Sequence, residues 1–271
     1  MYPVVGVCLT FKEMRSADMP PASTSPNANA RKLPLTKNGK KRRRPKLAPR
    51  YLVAESDDIR PVTDTRSTEV NSDESVALLR DVFTTSTCRC FILKSFSEAN
   101  LHKSLKYGIW SSTYAHNMLL DQVFKSDLSS VRPVLFFFSV CDTRHFSGIA
   151  RMTSGVRTDA TFELWEKRKY EGFFHVEWLL VKDVPNHALT SIKMSNTPSK
   201  KSITSCRDCE EVLFDEASEF ISIFSEFPHR SSAWDDFVHF DQLQTQLEAK
   251  RGLLPANADD VSTYLRPVQP N

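Results

Sequence analysis

KSFSEANLHKSLKYGIWSST, Lys94–Thr113, is the stretch from which the fold is read. Ser97 is placed to cap a helix whose Leu101 and Leu105 share one face at i, i+4 spacing. The segment closes on Trp110, a large aromatic set between Gly108 and a Ser-Ser-Thr run. On its N-terminal side CFILK (90–94) is a short apolar run rich in β-favouring residues. Downstream, PVLFFFSV (133–140) is another, and FFHVEWLLVK (173–182) alternates before turning continuously apolar. Such runs suit strands buried on one or both faces. A second helix is expected after Asp215, with Ala217, Phe220, Ile221 and Phe224 at helical spacing and Pro228 ending it. A last helix is expected over about 234–250, stopping near Gly252. Strands interleaved with helices predict an α/β (α+β) domain over 87–250, large enough for its own core, with 251–271 as a C-terminal tail.

Charge divides the chain. Residues 1–50 hold 12 Lys/Arg against 2 Asp/Glu, residues 51–86 hold 3 against 8, and the remainder 21 against 23. The overall charge of +3 therefore hides a basic tail, an acidic spacer and a nearly neutral domain. The tail, with its PPASTSPNANA, has too few core-forming residues to offset chain entropy, so 1–86 is expected to be a disordered tail. No internal repeat is apparent. With only 7 glycines, no Gly-rich phosphate loop is expected. No apolar run reaches the roughly 18 residues of a membrane span. MYPVVGVCLTFKEM lacks the basic region and cleavage site of a signal peptide, and six cysteines without secretory signals predict free thiols in a reducing compartment.

Several separated motifs occur in a fixed order from about 87 to 247: the 94–113 stretch, HFSGIARM (145–152), ELWEKRKYEGFFHVEWLLVKDVPN (163–186) and SCRDCEEV (205–212). In that order they resemble the YTH domain, and ordered motifs are far more specific than any one of them. The resemblance implies a curled six-stranded sheet, or open β-barrel, flanked by helices. It also implies a non-enzymatic module that reads N6-methyladenosine in single-stranded mRNA. KSLKYGIW, VKDVPN and WDDFVHF are similar to the cytoplasmic branch, which is associated with promoting decay of methylated mRNA. The implied partners are thus methylated single-stranded RNA and mRNA decay or deadenylation machinery, with no cofactor, no metal and no membrane.

A reader of that base must sandwich a flat neutral ring and enclose one methyl. Stacking a base on an aromatic is worth roughly 1–3 kcal/mol, and burying a methyl about 0.8 kcal/mol. No cation–π attraction helps, so shape and desolvation must supply the selectivity. Carried onto this sequence, the family's cage falls on Trp110, Trp165 and Tyr170. Tyr170 stands where animal cytoplasmic relatives often carry Trp. Base-edge contacts fall on Asn100, whose amide can donate to adenine N1, and on Ser111, through its carbonyl. Ser95 and Phe96 fall at the strand-to-helix turn. Phe96 replaces a common Tyr, and Cys141 stands in place of a base-contacting Asn. Lys94 and Arg207 match positions used against the RNA backbone. Trp178 is read as core, and Trp234 as an anchor for the last helix.

Other patterns carry less. Cys88-Arg-Cys90 and Cys206-Arg-Asp-Cys209 lack the paired spacing of a zinc site. His239-Phe240-Asp241 has the spacing found in iron-dependent RNA demethylases, the remote enzyme alternative, but falls on an expected helix. A YTH-type reader of an unmethylated motif is the other alternative. KKRRRPK (40–46) is read either as a nuclear-entry signal or as a cation cluster adding nonspecific RNA affinity. The expected location is the cytoplasm, with nuclear entry through that run.

Overall fold

A computed structural model describes residues 88–126, 132–253 and 257–268, together with Val76, Ala77, Leu79 and Asp81. The basic stretch 1–50, the KKRRRPK run and most of the acidic spacer lie outside the described residues. The four described residues of that spacer are helical, and Leu79 is buried.

Strand β1 (Arg89–Ser95) leads through helix α1 (Glu98–Tyr107) to the short β2 (Ile109–Trp110) and helix α2 (Tyr114–Lys125). Then follow β3 (Val134–Val140), β4 (His145–Met152), β5 (Ala160–Phe162) and β6 (Phe174–Pro185). The chain ends through β7 (Glu211–Val212), α3 (Phe214–Glu226), α4 (Phe237–Arg251) and β8 (Leu265–Pro267). Six strands form one curled sheet in the order β2-β6-β4-β3-β1-β7, and β5 pairs with β8. Among the described strands only β1 and β3 run parallel, Ile92 opposite Phe137. Parallel neighbours need a long crossover, and α1, β2 and α2 supply it.

The continuous apolar reading of β3 has a simple cause. Phe136 and Phe138 point into one core with Leu93, Trp110 and Trp178, while Leu135 and Phe137 point into a second with Ile92, Phe220 and Phe224. A strand covered on both faces cannot alternate. Gly148 in HFSGIARM is required by packing: a Cβ there would lie 2.6 Å from the Leu180 carbonyl and 2.9 Å from the Trp178 ring.

Helix α1 begins as its sequence predicts, the Ser97 side chain accepting from the Asn100 N–H. It stops at Gly108, whose φ of +60° lets its N–H reach the Ser104 carbonyl. Helix α2 is absent from the sequence reading, although Thr113 caps it by accepting from His116 N–H and Asn117, Leu120 and Val123 form its buried face. The stretch read as a C-terminal tail also differs. Tyr264 is 1% exposed, its hydroxyl donates to Glu248 at 2.8 Å, and β8 pairs with β5. Packing therefore continues to Val268, whose N–H donates to the Asp159 carbonyl. A four-residue turn and a three-residue strand are too short to leave a periodic signal.

Candidate RNA-binding site

At the carboxyl end of β1 the chain turns sharply into α1. Three other segments meet it there: the end of β2, the loop after β5 and the turn at Cys206–Cys209. They enclose a cavity of about 350 Å3, counting its open mouth. Trp110, Trp165 and Tyr170 line it, and so do Asn100, Ser111, Lys94 and Phe96. Seven of the nine residues singled out by the motifs are thus brought together, from positions spread over 77 residues of chain.

Trp110 is fixed by the pairing of β2 with β6, where it lies opposite Phe174. Its ring meets Phe138 edge-on at 4.9 Å and Trp165 at 5.7 Å with 69° between planes. Two rings at that angle form a wall and a floor rather than a parallel sandwich. A planar base can lie flat on one and present an edge to the other, and Tyr170 supplies a third aromatic surface. Trp165 sits on a loop, braced edge-on by Phe162 at 5.1 Å and by an Arg251 N–H donated to its carbonyl at 3.1 Å. Tyr170 is half-buried, and burial, then the nearby Asp208 carboxylate, raises its hydroxyl pKa.

The polar groups are oriented by the backbone. Asn100 is 2% exposed, and its Oδ1 accepts from the Glu166 N–H at 3.2 Å. That bond assigns the amide: the oxygen is engaged, so the NH2 is left to the cavity. Ser111 is buried, and its hydroxyl accepts from Asn117 Nδ2. Asp208 ties the rim together, accepting from Lys94 N–H at 2.8 Å through one oxygen and from Ser112 Oγ–H at 2.8 Å through the other. His116 Nδ1 lies 2.9 Å from that second oxygen. Burial lowers the Lys94 ammonium pKa, countered by Cys141, Cys206, Asp208 and Glu210. Ser112 and Thr113 line the cavity without having been singled out from the sequence, and so does Asp208, which the motif matched without a site role. Their signals were the RD of SCRDCEEV and the Ser-Ser-Thr run.

Two of the motif residues are not in the lining. Ser95 is fully buried, and its hydroxyl donates to the Ser97 carbonyl at 2.7 Å, so its side chain serves the turn. Arg207 is exposed, its N–H donating to Glu210. Cys141 is likewise exposed and outside the lining, its N–H donating to the Ser95 carbonyl. Phe96, 44% exposed, lies under the Lys167 ammonium, 3.2 Å from its ring centre, at the mouth.

A family model described as the YT521-B-like, or YTH, domain matches residues 88–225. The chain belongs to the YTH family. Human YTH domain-containing family protein 3 is 40% identical over 163 residues, covering 60% of this chain and 28% of that protein. Zebrafish (Danio rerio) YTH domain-containing family protein 2 is 37% identical over 174 residues, covering 64% and 28%. This chain therefore spans little more than a quarter of the length of these relatives. Among solved structures, the Pho92 YTH domain in complex with m6A is 32% identical, with a TM-score of 0.50 over 53% of this chain and 90% of that one.

Within this YTH domain neither the cysteine side chains nor His239 and Asp241 line the cavity, although Asp208 of the Cys206–Cys209 turn does. Cys88 and Cys90 lie with sulfurs 3.8 Å apart at the start of β1. Cys206 and Cys209 are buried, and burial lifts their thiols to about 11 and about 12. Among the described residues no group of three His, Cys, Asp or Glu side chains is placed to hold a metal ion. His239 and Asp241 lie on α4, where Asp241 pairs with Lys106 at 2.7 Å. Trp178 is core, 4.5 Å from Phe138, and Trp234 packs on Phe237 at the start of α4.

Proposed function

We propose that this protein is a non-enzymatic reader of N6-methyladenosine in single-stranded mRNA, with Trp110, Trp165 and Tyr170 as the cage. The observation that carries this reading is one cavity in which two tryptophans meet at 69°, beside an Asn100 amide whose oxygen is already engaged. The base stacks on one indole and turns its methylated edge toward the other. The Asn100 NH2 donates to adenine N1, and the Ser111 carbonyl accepts the remaining N6 hydrogen. A methylated adenine gains methyl burial in a cavity that water leaves. The solved relative in complex with m6A supports the same ligand. Lys94 and Arg207 meet the RNA backbone. Action in the cytoplasm and coupling of bound transcripts to decay machinery complete the reading, on the resemblance of KSLKYGIW, VKDVPN and WDDFVHF to the cytoplasmic branch.

The test is a titration of one short single-stranded RNA with and without the methyl group. Transfer of one methyl, about 0.8 kcal/mol, corresponds to roughly a fourfold preference, which a closely fitting cavity enlarges. Equal affinities at every salt concentration would sink the reading and favour an unmethylated motif.

A further inference from the structure

Trp165 also lines a second cavity, of about 380 Å3 counting its mouth, built between β5, β8 and the end of α4. Arg168, Arg251 and Arg266 line it, with Glu163 as the one carboxylate and Thr161 supplying a hydroxyl. Charge there is unbalanced. Arg266 Nε pairs with Glu163 Oε1 at 3.1 Å and occupies that carboxylate. Arg251 donates to the main-chain carbonyls of Glu163 and Trp165, which are neutral acceptors. Burial and then the neighbouring Arg168 push the Arg251 pKa below its ordinary value, against the attraction of Glu163 and Glu166. Arg168 is exposed and makes no ion pair or hydrogen bond among the described residues. Like charges held together in one concave site repel one another. An anion relieves that repulsion, and guanidinium forks match phosphate oxygens two at a time.

We propose that this cavity holds a backbone phosphate of the same RNA strand whose modified base enters the aromatic pocket. The inference rests on the reader function proposed above. RNA is the source favoured by the geometry. Trp165 is a wall of both cavities, and Arg168 follows it by three residues in the same loop, so a strand seated on the first passes within reach of the second. Residues 87–271 hold 21 Lys/Arg against 23 Asp/Glu, so phosphate affinity in the domain has to come from local clusters of this kind. Occupancy also bears on the base pocket, because Arg251 grips the Trp165 carbonyl and Arg266 grips Glu163, both in the segment that carries the Trp165 wall.

The test uses the full chain, its exposed-site variant Arg168→Gln, and a methylated single strand in which one linkage at a time is replaced by an uncharged methylphosphonate. For the parent, neutralising one particular linkage should cost the same factor in affinity as Arg168→Gln. In the variant that linkage should cost nothing further. Losing one phosphate contact lowers the salt slope by about 0.7, so the gap between parent and variant should shrink about fivefold over a tenfold rise in salt. The methylated-to-unmethylated ratio should be the same in both, since phosphate contacts carry no base information. Unchanged affinity of Arg168→Gln at low salt overturns the proposal, and so does a loss that is the same whichever linkage is neutralised. A parent that ignores the methyl group refutes the reader function instead, and the linkage comparison can still be read.

Discussion

Trp165 and Trp178 show how little burial says about role. They are 2% and 6% exposed, and each has an indole N–H without a hydrogen-bond partner. What separates them is the neighbourhood. Trp178 is enclosed by Phe138 and the space vacated at Gly148, whereas Trp165 borders two cavities on a loop. Trp110→Ala or Trp165→Ala should therefore abolish methyl selectivity while the fold survives. Trp178→Ala should lower unfolding stability by ~3–5 kcal/mol, the usual cost of a large core truncation. Denaturant melts and paired RNA titrations check both, and a stable Trp178→Ala protein that binds poorly would reverse the assignment. The aromatic residues could be read from the sequence because their motifs are ordered and specific. Ser95 was grouped with them by position alone. Its hydroxyl is taken up locally by the Ser97 carbonyl. The orientation of the Asn100 amide was out of reach, because it depends on a backbone N–H 66 residues away.

Helices α1 and α4 pack through His102, which is 1% exposed and ringed by Phe237, Phe240, Lys103, Lys106 and Asp241. Its Nε2 lies 3.1 Å from Asp241 Oδ1, yet neither ring nitrogen has the alignment of a hydrogen bond, so the ion-pair distance counts for less than the burial. Desolvation, only partly offset by Asp241, lowers its pKa to about 4 from 6.5. Between those values the unfolded chain binds a proton that the folded chain refuses, so stability falls as pH drops from about 6.5 toward about 4. At roughly 1.4 kcal/mol per unit the loss is at most about 3 kcal/mol. His102→Gln should remove that part of the acid sensitivity, seen as a smaller difference in unfolding free energy between pH 7 and 4.5. A variant as acid-sensitive as the parent would place the titration elsewhere. At this scale α1, α3 and α4 were legible, since a cap, a buried stripe or a terminal glycine marks each. Helix α2 escaped because its cap, Thr113, was read only as a neighbour of Trp110, and because Tyr114 and Leu119 remain exposed and blur its apolar face.

For the molecule as a whole, the sequence reading placed the end of packing too early. Tyr264 joins Tyr107 and Phe162 in the core that carries the aromatic pocket, and its partner Glu248 also accepts from Gln244. Such closure by a distant short segment is set by tertiary contact, and no local pattern announces it. Charge, by contrast, is additive along a chain and can be read directly. Residues 1–50 carry 12 Lys/Arg against 2 Asp/Glu, beside a domain with no cationic excess. A basic segment carried on the same chain as an RNA site can raise affinity through screened attraction, which fades beyond about 10 Å at 0.1 M salt. Deleting 1–50 should therefore weaken RNA binding markedly at low salt and little at high salt, for methylated and unmethylated strands alike. Arg207→Ala should act in the same direction but by one contact, lowering the single-strand salt slope by about 0.7. Neither change should move the methyl ratio, because neither alters the cage. Salt-series titrations separate the outcomes. A deletion that weakens binding equally at all salt concentrations would mean that the segment makes short-range contacts of its own. An Arg207→Ala protein that loses methyl preference while keeping its salt slope would move that arginine from the backbone to the base.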